Sequence, residues 1–159
     1  MSDGLRFALT LAAALGSGLI AGVFFAFSTF VMTALGRLPP AQGIAAMQSI
    51  NVAVINPVFL GTLFGTGVVC VVLAAVALMG WQDPGAAWLL AGSLLYVVGD
   101  VVVTMAFNVP LNNALAAADP ASADGAALWA GYLKGWTAWN HVRTAAGLAA
   151  TAAFFVALV

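Results

Sequence analysis

The chain has 159 residues, 64% hydrophobic and 6% charged, with a mean hydropathy of +1.11. A water-soluble domain carries about 25% charged residues, so an ordinary soluble globule is excluded and a lipid bilayer is the natural solvent. The net charge of −1 also excludes nucleic acid as a partner, because that role needs a basic patch.

Leu5 to Met32 is apolar apart from Arg6, small hydroxyls and glycines, and exceeds the ~20 residues needed to span hydrocarbon. It runs well past the ~7–15-residue apolar core of a secretory signal and has no clean processing site, so it reads as a retained membrane helix. Gly18 and Gly22 form a G-x-x-x-G pair, as do Gly61 and Gly65, a spacing that lets membrane helices approach closely. The span ends in Phe24, Phe25, Phe27 and Phe30. These aromatics suit lipid contact and packing; Phe27 also suits the wall of an apolar pocket.

Gly36-Arg-Leu-Pro-Pro40 ends this helix, since proline cannot continue it. Ala41 to Val54 predicts a short helix on which Gln48 and Asn51 are i, i+3 neighbours. Asn56-Pro57 gives an N-cap followed by N1, opening a second span to about Met79. Gly80 to Gly85 is a tight turn carrying Trp81.

The third span, about 86–107, contains Asp100. A carboxyl in hydrocarbon costs at least ~2.5–3.5 kcal/mol and needs an interior partner. Asp100, Thr104 and Asn108 follow an i, i+4, i+8 spacing and share a stripe. Pro110 is expected to end or kink the helix, leaving Asn108 and Asn112 at a polar terminus, and Ala114 to Ala127 reads as a loop with one turn of helix. The last helix is expected to begin near Ala126, with about 33 residues spanning ~50 Å, too long to lie wholly in hydrocarbon.

The expected fold is therefore all-α: a single transmembrane domain over 1–159, an integral membrane four-helix bundle with a long last helix projecting from the bilayer. The spans are about 5–33, 57–79, 86–107 and 141–159, and the polar connections 34–56 and 108–140 share one side. Gln48, Asn51, Asn108, Asn112, Asn140, His141 and Arg143 thus gather at one end. Arg37, Lys134 and Arg143 at that end, against Arg6 at the other, predict a cytoplasmic polar face in a cell's inner or plasma membrane.

Trp136 to Arg143 is the densest chemistry in the chain and holds its only histidine. A 3-4-3-4 spacing aligns Trp129, Tyr132, Trp136, Trp139 and Arg143, with Asn140 beside them. His141 lies ~200° round from Arg143. An interfacial aromatic belt has the same composition, Arg143 could snorkel to headgroups, and a lone histidine also serves as a structural hydrogen-bonding residue. Matching depths nevertheless predict that Asp100 pairs with Arg143, directly or through Asn140.

Gly22-Val-Phe-Phe-Ala-Phe-Ser28 followed by Val31-Met32, Met47-Gln-Ser-Ile-Asn51, Asn108-Val-Pro-Leu-Asn112 and Trp139-Asn-His-Val-Arg-Thr144 resemble, in order, segments of the anthrone-oxygenase-like family of small four-helix membrane proteins. The resemblance implies O₂-dependent oxidation of an anthrone-type aromatic polyketide to a quinone. For such chemistry the candidate base is His141, the one side chain whose ordinary pKa suits neutral pH. Arg143, Asp100 and Asn140 complete the catalytic candidates. Trp136, Trp139 and Phe27 could stack on a flat substrate, beside Gln48, Asn51, Thr104, Asn108 and Asn112.

No cofactor is expected. The alternatives are a copper or iron oxidase using His141, the only plausible metal ligand, and a non-catalytic binding, transport or assembly protein for an apolar metabolite. No phosphate-binding loop, dinucleotide fingerprint or cysteine pair is present, and Cys70 stands alone. Expected partners are the lipid bilayer, an apolar small molecule and further copies of the chain.

Overall fold

Apolar runs punctuated by Pro39-Pro40, Asn56-Pro57, Gly80–Gly85 and Asp119–Ser122 leave the backbone little choice but helix. The computed structural model, which describes residues 1–159, contains five helices and no strand. We label them α1 (Asp3–Gly36), α2 (Pro40–Ala53), α3 (Pro57–Met79), α4 (Ala86–Ala116) and α5 (Ala123–Leu158). All but α2 are long and apolar enough to cross a membrane, as a multi-pass membrane protein requires.

The caps follow the sequence. Asn56 accepts a hydrogen bond from the Phe59 amide at 2.9 Å and Ser122 one from Gly125 at 2.9 Å, satisfying amides that a helix start leaves free. Gly85 adopts φ +78, open to glycine without strain, and turns the chain from α3 into α4.

The four long helices form a ring: α1 packs on α3 and α5, and α4 packs on the same two. Thus α1 faces α4 and α3 faces α5 across the bundle. The short α2 lies over one end, against α5 and the last turns of α1 and α4. At the other end Arg6 donates to the Pro84 carbonyl at 2.7 Å and approaches Asp83 at 3.4 Å.

The interior has two layers. One, around Ile20, Leu73, Leu89, Tyr96 and Phe154, fills the plain half of the bundle. The other, around Ile44, Met47, Leu115 and the Trp129–Tyr132–Trp136 stack, fills the half under α2.

Several details depart from expectation. Helix α4 does not stop near Pro110 but runs to Ala116. Proline lacks an N–H and its ring presses on the carbonyl one turn back. Here the turn before it, Thr104–Asn108, is a wider π turn, which accommodates both defects. Further π turns occupy Val97–Val102 and, in α1, Phe27–Val31. The connection after α4 is shorter than expected, and α5 begins at Ala123. A Cβ built on Gly61 or Gly65 meets nothing, so that pair packs against no helix of its own chain.

Candidate functional site

The buried positions of α5 run 129, 132, 136, 140, 143, 147, 150, 154, a helical seam of period close to 3.6. Asn140 and Arg143 lie in that seam and face the bundle interior. Asn140 is fully buried, and Arg143 is 4% exposed.

Asn140 uses all three of its polar positions. Its Nδ2 donates to the Phe24 carbonyl and to Ser28 Oγ, both at 2.7 Å, and its Oδ1 accepts from Arg143 Nη2 at 2.7 Å. Arginine is donor-only, which fixes the amide orientation. Thr144 Oγ1 donates to the Asn140 carbonyl at 2.8 Å and lies 3.0 Å from Ser28 Oγ. With its own proton so used, Thr144 accepts from Ser28, and Asn140, Ser28 and Thr144 close a hydrogen-bonded ring. The π turn starts at Phe27, three residues after Phe24; such a turn disrupts the regular i→i−4 ladder close to where the Phe24 carbonyl takes a side-chain donor.

Arg143 is held from both sides. Nη1 donates to Thr104 Oγ1 at 3.0 Å. The guanidinium lies 4.0 Å from the Phe24 ring centroid and 5.1 Å from that of Trp136, within cation–π range. The expected ion pair with Asp100 is absent: no carboxylate lies within 4.0 Å of Arg143. Asp100 is fully buried, and neither of its carboxyl oxygens has a hydrogen-bond partner. Its neighbour on α5 is Gly147, where a Cβ would come within 3.0 Å of Oδ1. Thr104, one turn further along α4, takes the guanidinium in its place.

Beside Arg143, where the two core layers meet, lies a cavity of about 560 Å³. This is ample for a small-molecule ligand. Phe24 and Leu63 from one layer and Met47 and Trp136 from the other form its walls. Of the sequence candidates, Phe27, Gln48, Asn51, Thr104, Asn108, Asn112, Trp136 and Arg143 line it. Phe27 and Trp136 meet at 5.6 Å between centroids with a 55° tilt.

Three of these lining residues have structural duties, the first being Asn108, whose Nδ2 donates to the Trp136 carbonyl at 3.2 Å. Gln48 Nε2 donates to the Leu115 and Ala118 carbonyls at 2.9 and 3.0 Å, fastening α2 to the end of α4. Asn112 Oδ1 accepts from Tyr132 at 2.8 Å.

The other candidates lie elsewhere. His141 is exposed on the outer face of α5 and does not line the cavity: it is about 200° from Arg143 on the wheel, and the seam follows Arg143. Trp139 stacks on Phe107 at 3.7 Å and 9°, outside the cavity. Its place in the seam belongs to Asn140. Asp100 and Asn140 lie behind the wall and do not line it.

Sequence reasoning missed Ser28 and Phe24 as partners of the anchor. The face shared by Phe24 and Phe27 was the available signal. The π turns carrying Phe27 and Asp100 had none, whereas Pro110 was the signal for the one at Thr104–Asn108.

Four polar atoms on cavity-lining residues have no partner in the protein: Arg143 Nε, Trp136 Nε1, Asn51 Nδ2 and Asn108 Oδ1. Three are donors and one is an acceptor. No three His, Cys, Asp or Glu side chains come together.

Four apolar spans surround an aromatic-walled cavity with a guanidinium fixed at its side, consistent with a multi-pass membrane protein. The sequence model of the anthrone oxygenase family matches residues 54–153, and the chain belongs to that family. The matched stretch carries Thr104, Asn108, Trp136, Asn140 and Arg143. No curated protein and no solved structure matches the chain.

Proposed function

We propose that the protein oxidises a flat, apolar aromatic ketone of the anthrone type to a quinone with O₂, in the cavity beside Arg143. The observation carrying this reading is the set of unpartnered donors, Arg143 Nε, Trp136 Nε1 and Asn51 Nδ2, on residues of a mostly apolar wall. They suit a planar ligand bearing carbonyl and hydroxyl oxygens.

Loss of a proton from the ring CH₂ converts such a ketone into an electron-rich enolate. A fixed guanidinium beside the forming oxyanion stabilises it without reorganisation. The proton leaves to water by way of the asparagine-lined end of the cavity. The enolate carbon then bonds to O₂, and the hydroperoxide loses water. The ring CH₂ thus becomes a carbonyl containing one oxygen atom of O₂, and the other oxygen leaves as H₂O with the two hydrogens. Arg143, positioned by Asn140 and Thr104, stabilises the anion. Trp136 and Phe27 flank the rings. No step requires a metal or an organic cofactor.

Reconstituted protein is expected to consume one O₂ per quinone formed and to place one atom of ¹⁸O from ¹⁸O₂ in the new carbonyl. The rate is read above that of the Arg143→Leu protein, which accounts for spontaneous oxidation. Recovery of the ligand unchanged at the background rate defeats this reading in favour of a binding or transport role.

Our reading places residues 1–159 as one transmembrane domain with the α2 end towards the cytoplasm, on the charges of Arg37 and Lys134 against Arg6. The outward-facing Gly61 and Gly65 leave room for a second copy, and light scattering of the detergent-solubilised protein tests for a homo-oligomer.

A further inference from the structure

Helices α3 and α4 do not stay together along their lengths. They pack from Ala86 through the π turn at Val97–Val102, then part over Thr104–Ala116. The cavity lies behind this gap. Its lining includes Leu60 and Phe64 on α3 and Met105 and Val109 on α4. Phe64 is 40% exposed and Met105 53% exposed, so each touches both the outer surface and the cavity. Phe64 is the eighth residue of α3, about 10 Å along a helix long and apolar enough to cross a membrane.

The end under α2 is closed by specific contacts. Gln48 ties α2 to the end of α4, Tyr132 bonds Asn112, and Gly43 sits so close to Trp129 that a Cβ would come within 3.0 Å of its ring. Between α3 and α4 the Tyr96 hydroxyl donates to the Leu63 carbonyl at 3.1 Å at the inner margin of the gap, and no hydrogen bond joins Thr104–Ala116 to α3. The rim there is apolar, while the cavity wall holds a cation with no carboxylate in reach. A water-soluble anion meets the wrong rim, and a plain hydrocarbon leaves the cation unanswered. A flat aromatic that dissolves in the bilayer and carries an acidic oxygen satisfies both.

We infer that the cavity is loaded sideways from the hydrocarbon, through the gap between Leu60 and Phe64 on one side and Met105 and Val109 on the other. The cargo class rests on the oxygenase reading; the route rests on the helix gap alone.

The test closes the gap reversibly. In a Cys70→Ala background, Phe64→Cys with Met105→Cys is bridged by a short bis-methanethiosulfonate in vesicles. The rate at which 1-hydroxyanthraquinone, supplied dissolved in a second set of vesicles, quenches tryptophan emission is then followed. Bridging is expected to slow loading at least tenfold, and reduction of the bridge to restore it. A bridge between Ile55→Cys and Asn113→Cys, at the polar end of the same gap, is expected to leave the rate within twofold. Leu60→Cys with Val109→Cys supplies a second pair if the first does not fold. Loading that ignores the bridges at Phe64 and Leu60, or that is slowed only by the one at Ile55, overturns the inference. The readout needs no turnover, so a protein that loads this way and leaves anthrone unoxidised defeats the oxygenase reading alone.

Discussion

Arg143 donates to Thr104 Oγ1 at 3.0 Å and leaves Asp100, four residues earlier on α4, without an ion pair. The cation is held by neutral groups and two aromatic rings. No carboxylate in contact neutralises its charge.

Removing that cation is expected to be the most damaging single change to turnover. Arg143→Leu should lower the rate of quinone formation by about 10²–10³, the scale seen when an oxyanion donor is lost. Arg143→Lys should recover little, because a lysine cannot reach Thr104 and Asn140 together as the planar fork does. Steady-state assays of the reconstituted variants decide this.

Asn140 holds α1, α5 and Arg143 to one another. Asn140→Leu strands Arg143 Nη2 and takes the side-chain donor from both the Phe24 carbonyl and Ser28. A buried polar group left unsatisfied costs about 1–3 kcal/mol. Unfolding in mixed micelles should show a destabilisation of at least that size, together with loss of activity.

His141→Ala should change little. The side chain is exposed and away from the cavity, and exposed substitutions of this kind usually stay within about 0.5 kcal/mol. Activity of at least half the parent value is expected. Its loss would return His141 to the mechanism through a neighbouring copy of the chain.

Gly147→Ala introduces a Cβ 2.9 Å from Ala21 and 3.0 Å from Asp100. Overpacking of this kind costs about 1–3 kcal/mol, and the α1–α5 contact should loosen. Combining it with Asp100→Ala removes one of the two clashes, so the double variant should be more stable than the sum of the singles indicates. Thermal unfolding of the four proteins tests that coupling.

The number of long helices, the Asn56 cap and the polar end were legible because they rest on hydropathy and local cap chemistry. Asn140 and Arg143 were legible as inward residues, since a seam of period 3.6 through Trp129, Tyr132 and Trp136 reaches them. A strict 3-4-3-4 count put Trp139 in that seam, although the observed 136–140–143 step passes one residue to the side. The Asp100–Arg143 pair failed for a different reason. Matching depth brings two groups to one level, but π turns change the angle at which α4 presents its side chains. Those turns come from tertiary contacts and from Pro110, and no window of hydropathy reports them.

The meeting of two core layers at the cavity has a consequence for how this scaffold can diversify. Arg143 is anchored by Asn140 and Thr104, and Asn140 in turn by Ser28. The opposite walls, Phe59, Leu60, Met105 and Val109, belong to helices that have already parted at that level. Substitutions on those walls can reshape the space offered to a guest while the anchored cation keeps its bearings. A set of descendants could therefore accept aromatics of different outline with the same charge in the same place.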